Sequence, residues 1–263
     1  MIKFDFDAQD YPYPSKRHVV YAKNGMACAG NPTAASIGLQ TLMKGGNAVD
    51  AAIAMASAYP VVEPTGNGIG ADCFAIVWFK GKLYGINGSG PAPKANSVAA
   101  LKARGFEKIP SYGVEPINVP GAVGAWMALH ERFGSMPLED VMAPAISYAE
   151  NGYPVSPNVS RLWEEAWQIY GKYKDRPEFQ GLFDTFMDKG TWYRPGEIFR
   201  APDHAKTLRL IAETKGEAFY RGELAEPISP NGSSRFRSTT TATTFGSCRP
   251  TVTALRCSWR CRF

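Results

Sequence analysis

The sequence predicts a layered α/β (α+β) fold, on three observations. "CFAIVWF" (73–79) is an almost unbroken apolar run of strand length. It reads as a strand buried on both faces. Lys80–Gly81 makes a tight turn, and "KLYGING" (82–88) returns as the partner strand. The segments on either side carry apolar residues at three- and four-residue spacing, so helices are expected to cover this hairpin in layers.

In chain order, residues 1–20 are rich in Pro and Tyr and read as an extended lead-in. A helix is expected from Pro32, with Ala35, Leu39, Leu42 and Met43 on its apolar stripe and Gly45–Gly46 at its end. Asn47 is placed to cap a second helix, with Asp50 three residues on to favour its N-terminus. That helix, "AVDAAIAMASAY", is alanine-rich and allows close approach to its neighbours. After Pro93 the chain is mostly helical. "PGAVGAWMALHERFG" (120–134) sets Val123, Trp126, Met127 and His130 near one stripe. "PLEDVMAPAISYAENG" (137–152) starts at Pro137 and stops at Gly152. "DHAKTLRLIAETKGEAFYRGELAE" (203–226) gives two amphipathic segments divided by Gly216, with Asp203 as a cap candidate. There is no internal repeat.

Composition narrows the function classes. Hydrophobic content of 44% and charged content of 20% are those of a globular protein. Net charge is +5, and residues 231–263 carry six arginines with no lysine, aspartate or glutamate, so the body is near neutral. A nucleic-acid partner would need a basic folded face, which the body lacks. No apolar run approaches the roughly 20 residues that span a bilayer. The first 18 residues hold acids and no apolar core, so no secretory signal and no membrane partner are expected. Cys28 and Cys73 sit among small or apolar residues and are expected to be buried free thiols, which fits a cytoplasmic location.

Motifs for cofactor chemistry fail on context. "GNGIGA" (66–71) offers the dinucleotide spacing, but a helical segment precedes it and a strand follows, the reverse of what that fingerprint needs. His18, His130 and His204 share no spacing with a cysteine or carboxylate cluster, so neither metal nor other cofactor is expected. Cys257 and Cys261 lie four apart, but a zinc site would need further ligands nearby, and no histidine follows His204. No Gly-x-Ser-x-Gly elbow or Walker loop occurs. The residues alone reach a layered α/β body without a catalytic constellation.

A longer set of segments goes further: "KGGNAVDAAIA" (44–54), "VVEP" (61–64), "GIGADCF" (68–74), "NGSGPAP" (87–93), "VPGAVGAW" (119–126), "APAISYAENGYPVSP" (143–157) and "GEAFYRGELAE" (216–226). In order and spacing they resemble the gamma-glutamyltransferase (gamma-glutamyltranspeptidase) family over about residues 18–226. The resemblance implies part of an N-terminal-nucleophile hydrolase fold, a four-layer αββα sandwich. It implies a proenzyme that cuts itself into large and small subunits. The new N-terminal threonine of the small subunit attacks a gamma-glutamyl amide to form an acyl-enzyme, with glutathione as the usual donor. The implied partners are a small-molecule gamma-glutamyl or related amide substrate and that small subunit. The implied substrate-binding residues are Ser89, Asn87 and Gly88, with no catalytic residue in this chain.

Two departures qualify the resemblance. Where typical members hold an arginine against the substrate α-carboxylate, this chain has Ser89. A serine cannot make a bidentate guanidinium–carboxylate pair. Altered specificity is expected, as in the gamma-glutamyltransferase-like branch or in a related acylase or oxamate-type amidase of the same fold. A non-catalytic fragment is the alternative from a different class. The second departure is residues 231–263. Read one base out of frame, they admit a back-translation like the end of a large subunit, with its "PPNGxGI" pattern. The expected organisation is therefore a large-subunit portion over 1–230 and an aberrant, frameshifted tail over 231–263 without native structure. The threonine-rich run Thr239–Thr244 is then no relative of the family's nucleophile.

Overall fold

A computed structural model describes residues 20–93, 97–113, 115–225 and 246–247. The expectations for residues 1–19 (His18 among them) and for 226–245 and 248–263 lie outside these. Helix α1 (Pro32–Met43) begins where the Asn31 side chain accepts the N–H groups of Thr33 and Ala34, with Pro32 at the first helical position. The Gly46 N–H closes the other end on Thr41 O at 3.0 Å. The expected stripe is displaced. Ala34, Ile37, Gly38 and Thr41 face inward, while Leu39 and Met43 are 49% and 79% exposed. Backbone approach decides this over side-chain size, because a Cβ on Gly38 would sit 2.6 Å from Met55 Sδ of the next helix.

Helix α2 (Ala48–Val62) carries the expected Asn47 cap, and Asp50 does more than favour the N-terminus: Asn47 Oδ1 accepts from Val49 and Asp50, and Asp50 Oδ2 accepts the Asn47 N–H at 2.9 Å, closing a capping box. It lies between α1 and a later helix, α5 (Leu138–Asn151), which starts after Pro137 and stops at Gly152. Helix α3 (Val98–Ala103) is short, and α4 (Ala122–Phe133) buries Val123, Trp126, Leu129 and Phe133. Met127 and His130 of the expected stripe are only half-buried. The α4–α5 link is held by Asp50, whose carboxylate accepts the Ser135 N–H (3.0 Å) and hydroxyl (2.5 Å).

The hairpin forms as expected. Strands β1 (Cys73–Phe79) and β2 (Lys82–Gly88) pair from Phe79↔Lys82 to Cys73↔Gly88. Lys80 and Gly81 both have positive φ, 49° and 79°, the signature of a two-residue turn that matches strand twist. Burial on both faces is not found. The face bearing Ala75, Val77, Tyr84 and Ile86 packs on α4, where the Phe79 and Tyr84 rings meet Phe133 at 5.3 and 5.2 Å. On the other face Phe74, Ile76 and Trp78 are 52%, 77% and 59% exposed. The helices of the described residues cover one side of the sheet, so an all-apolar strand is left half open.

Strand β3 (Tyr153–Pro154) pairs with β4 (Ile198–Phe199). Between them run α6 (Pro157–Tyr170), capped by Ser156, and α7 (Gln180–Phe186), neither singled out in the sequence. Trp163, Tyr193 and Phe199 fill the space beneath. Helix α8 (Pro202–Thr214) lies on α5, and α9 (Glu217–Tyr220) follows the turn at Gly216. Asp203 is not the cap of α8. Ala201 holds that position, and Asp203 sits in the first turn, paired with Lys206 at 2.8 Å. Cys28 is exposed rather than buried, because it lies in the irregular segment ahead of α1; Cys73 is half-buried. Finally β5 (Gly246–Ser247) pairs with β2 through Tyr84↔Ser247 and Gly85↔Gly246.

Candidate functional site

The end of β2 runs into Asn87–Gly88–Ser89–Gly90, the turn that holds the three expected substrate-binding residues. Asn87 is exposed, Gly88 buried and Ser89 half-buried. The Ser89 N–H donates to Asn87 Oδ1 at 3.0 Å, a local link that bends the chain away from the strand. Gly88 is pressed between strand and helix: a Cβ there would lie 2.7 Å from Ala125 Cβ and 2.9 Å from Cys73 O. The three expected residues are thus neighbours on one turn, with Asn87 open and Ser89 partly open.

Two further segments complete the turn's surroundings. Val119–Gly121, just before α4, runs against it. The Val119 N–H donates to Pro91 O at 3.0 Å. A Cβ on Gly121 would collide with the Gly88 carbonyl, and one on Gly90, whose φ is 73°, would collide with the Val119 carbonyl. The loop after α2 closes the third side, with Ala71 O accepting the N–H groups of Gly121 (3.1 Å) and Ala122 (3.0 Å). This loop contains "GNGIGA", and a helix precedes it and a strand follows, as a dinucleotide fingerprint forbids. Gly90, Pro120 and Gly121 were given no role from sequence. Their signal was present in the "NGSGPAP" and "VPGAVGAW" segments, but only the backbone contacts show that the two meet.

Burial sets the local electrostatics beside the turn. Burial pushes the Cys73 thiol up, the neighbouring Asp72 adds to this, and a hydrogen bond with Trp126 opposes it. Cys73 is thus a poor thiolate nucleophile. At the start of the loop, burial raises the Glu63 carboxyl while Asn31 works against the shift. Among the described residues no group of three or more His, Cys, Asp or Glu could hold a metal. Of the two described histidines, His130 Nε2 lies 2.8 Å from Met136 O, and burial lowers His204, whose ring meets Phe186 edge-on. A groove of about 370 Å³ between α5 and α8, lined by Glu139, Ile146, Glu150, Arg209 and Glu213, shares no residue with the β2 turn. Among the described residues no helix is long and apolar enough to cross a membrane.

Comparison with known proteins places this geometry. The family model described as gamma-glutamyltranspeptidase matches residues 34–234. The glutathione hydrolase-like YwrD proenzyme of Bacillus subtilis is 36% identical over 200 residues, covering 74% of this chain and 36% of the relative. The crystal structure of cephalosporin acylase from Bacillus halodurans superposes with a TM-score of 0.80 at 54% identity, over 85% of this chain and 42% of that one. Helicobacter pylori gamma-glutamyltranspeptidase gives 0.73 at 32% identity, over 81% and 61%. The chain spans less than half the length of the first two. The shared architecture is the N-terminal-nucleophile hydrolase fold, of which these residues form one part. With most of its length matched by one family model and over four-fifths of it superposed on solved relatives, the chain belongs to the gamma-glutamyltranspeptidase family.

Proposed function

We propose that this chain is the large-subunit portion of a gamma-glutamyltransferase-like proenzyme that transfers or hydrolyses gamma-glutamyl groups or closely related acyl groups of amides. The observation that carries the reading is the open sheet face. Phe74, Ile76 and Trp78 are exposed on a family-matched hairpin whose other face packs, partly buried, against the core. The small subunit's strands are the partner that this face fits, and they bring the nucleophile. A threonine hydroxyl there attacks the amide carbonyl, its own α-amine takes the proton, and the amine product leaves carrying it. Water or an acceptor amine then takes the acyl group. On this reading the chain supplies the Asn87–Ser89 turn against the substrate, and the small subunit supplies the nucleophile. Residues 231–263 are read here as translated out of frame, and the location as cytoplasmic.

A second reading has a specific observation behind it. Ser89 places no cation where the family arginine clamps an α-carboxylate, and the cephalosporin acylase relative is 54% identical. An acyl donor without a free α-amino acid end would then fit better than glutathione.

Both readings are tested with the gene carried in frame past residue 230. Intact mass should show self-cleavage into two chains with an N-terminal threonine. The cleaved protein should hydrolyse either a gamma-glutamyl anilide or a side-chain acyl amide, and the preferred one chooses between the readings. A restored protein that cleaves itself but hydrolyses neither removes both. Cleavage of the 263-residue chain itself within Thr239–Thr244 would remove the out-of-frame reading.

A further inference from the structure

Helix α4 lacks a cap of its own. Its N-cap residue is Gly121, which has no side chain to offer the first-turn amides. The missing partner comes from the far end of the chain. The Tyr220 hydroxyl accepts the Gly124 N–H at 2.9 Å and donates to Pro120 O at 2.8 Å, across 96 and 100 residues of sequence. One hydroxyl thus holds both sides of the helix start. Burial pushes the Tyr220 phenol up, against the Gly124 contact, which keeps the proton that Pro120 O receives. The segment fixed in this way is the one that abuts the β2 turn: Val119 bonds Pro91, and Gly121 and Gly90 leave no space for a side chain between the two backbones.

Resting on the reading of that turn as substrate-binding, we propose that Tyr220 is a positioning residue that sets the place of Ser89 through Pro120 and Gly121. The line of contact is short and direct: Tyr220 to Pro120 and Gly124, then Gly121 to Gly88 and Gly90, which flank Ser89 on both sides. The anchor is firm at its own end. Phe219 beside it is buried, and the Ala218 N–H is held by Thr214 Oγ1 at 3.2 Å. Specificity at Ser89 therefore depends on a residue that touches no substrate.

Tyr220→Phe removes both hydrogen bonds and keeps the ring. Amide hydrogen exchange of the whole chain, followed by mass spectrometry, reads the result. The expected outcome is exchange faster by about fivefold in peptides covering 120–125 and 88–91, with peptides of 153–199 unchanged. Ser160→Ala is the control, since it deletes a buried hydroxyl bond of similar length, 2.7 Å to Tyr193 O, in a different region. It should leave 88–91 as in the parent. Unchanged exchange at 88–91 in Tyr220→Phe, or an equal rise there in Ser160→Ala, overturns the proposal. Exchange reads amide protection at the turn and not turnover, so a negative result in the amide-hydrolysis assay leaves a Tyr220 effect standing.

Discussion

The helical body and the hairpin are built from similarly apolar sequence, yet one is closed and the other is not. In the body, α2 is enclosed by α1 and α5, and α8 closes over α5. Ala54, Ala58, Val61, Val141, Ala145, Leu208 and Ile211 have no measurable exposure. Even the polar Asp50 is fully buried there with hydrogen bonds to Asn47 and Ser135. In the hairpin, Ala75 and Val77 reach the core while Phe74, Ile76 and Trp78 stand in solvent. Apolar sequence on both faces of a strand is normally matched by two layers of cover. The body has found its cover within this chain, and the hairpin has found half of it. Among the described residues the difference locates the face that the proposed small subunit would cover.

The largest expected effect is on the closed side. Asp50→Ala leaves the Ser135 N–H and hydroxyl and the Asn47 N–H without their buried acceptor, and should destabilise the fold by about 3 kcal/mol. Chemical denaturation of the two proteins measures it. A loss below about 1 kcal/mol would mean that α2 and the α4–α5 link are held by other contacts. Next is Gly121→Ala, which forces a methyl group into the Gly88 carbonyl. It should cost about 1–3 kcal/mol, the range for overpacking, and loosen residues 88–91.

Acid sensitivity gives a smaller effect with a defined sign. Burial works to raise the Asp50 carboxyl, but the Ser135 hydroxyl and the N–H groups of Asn47, Ser135 and Met136 together hold it below its usual value. A depressed folded-state value means stability that is fully present above the unfolded value of about 3.9 and lost as pH falls through the lower folded one. The gap in stability between parent and Asp50→Asn should therefore narrow only at strongly acidic pH. A gap that already closes near pH 6 would assign the sensitivity to another group. In the in-frame protein, Ser89→Arg should raise kcat/KM for gamma-glutamyl donors, by up to about 1.5–3 kcal/mol of charge-assisted contact. An unchanged ratio would place Ser89 away from the α-carboxylate. The smallest effect belongs to the open face, where Trp78→Ser should change monomer stability by less than about 0.5 kcal/mol, while Val141→Ala in the body should cost more than 1.

What the sequence disclosed follows the same division. Local rules worked where the chemistry is local: the Asn47 cap, the Lys80–Gly81 turn, the Pro137 start and the Gly152 stop of α5 all stand as read. Packing direction was less legible. The larger residues Leu39, Leu42 and Met43 suggested the inner face of α1, but the face that packs is the one whose Gly38 allows α2 to come close. Asp203 looked like a cap, but the helix starts before it, at Pro202. At the candidate site, the Asn87–Ser89 turn was named from family resemblance. Its supports Gly121 and Tyr220 lie some 30 and 130 residues further on, and no spacing rule joins them. Family motifs placed the fold, whereas the unfilled face of the hairpin became visible only when its neighbours were in position.

The most direct test of the central claim, that this chain is one part of a sandwich open at the Phe74–Ile76–Trp78 face, is sedimentation of the 263-residue chain with binding of a hydrophobic dye measured alongside. The account predicts self-association and strong dye fluorescence, both sharply reduced by the combined Phe74→Ser, Ile76→Thr and Trp78→Ser substitutions. A monodisperse monomer that binds no dye, and is unaffected by those substitutions, would contradict it.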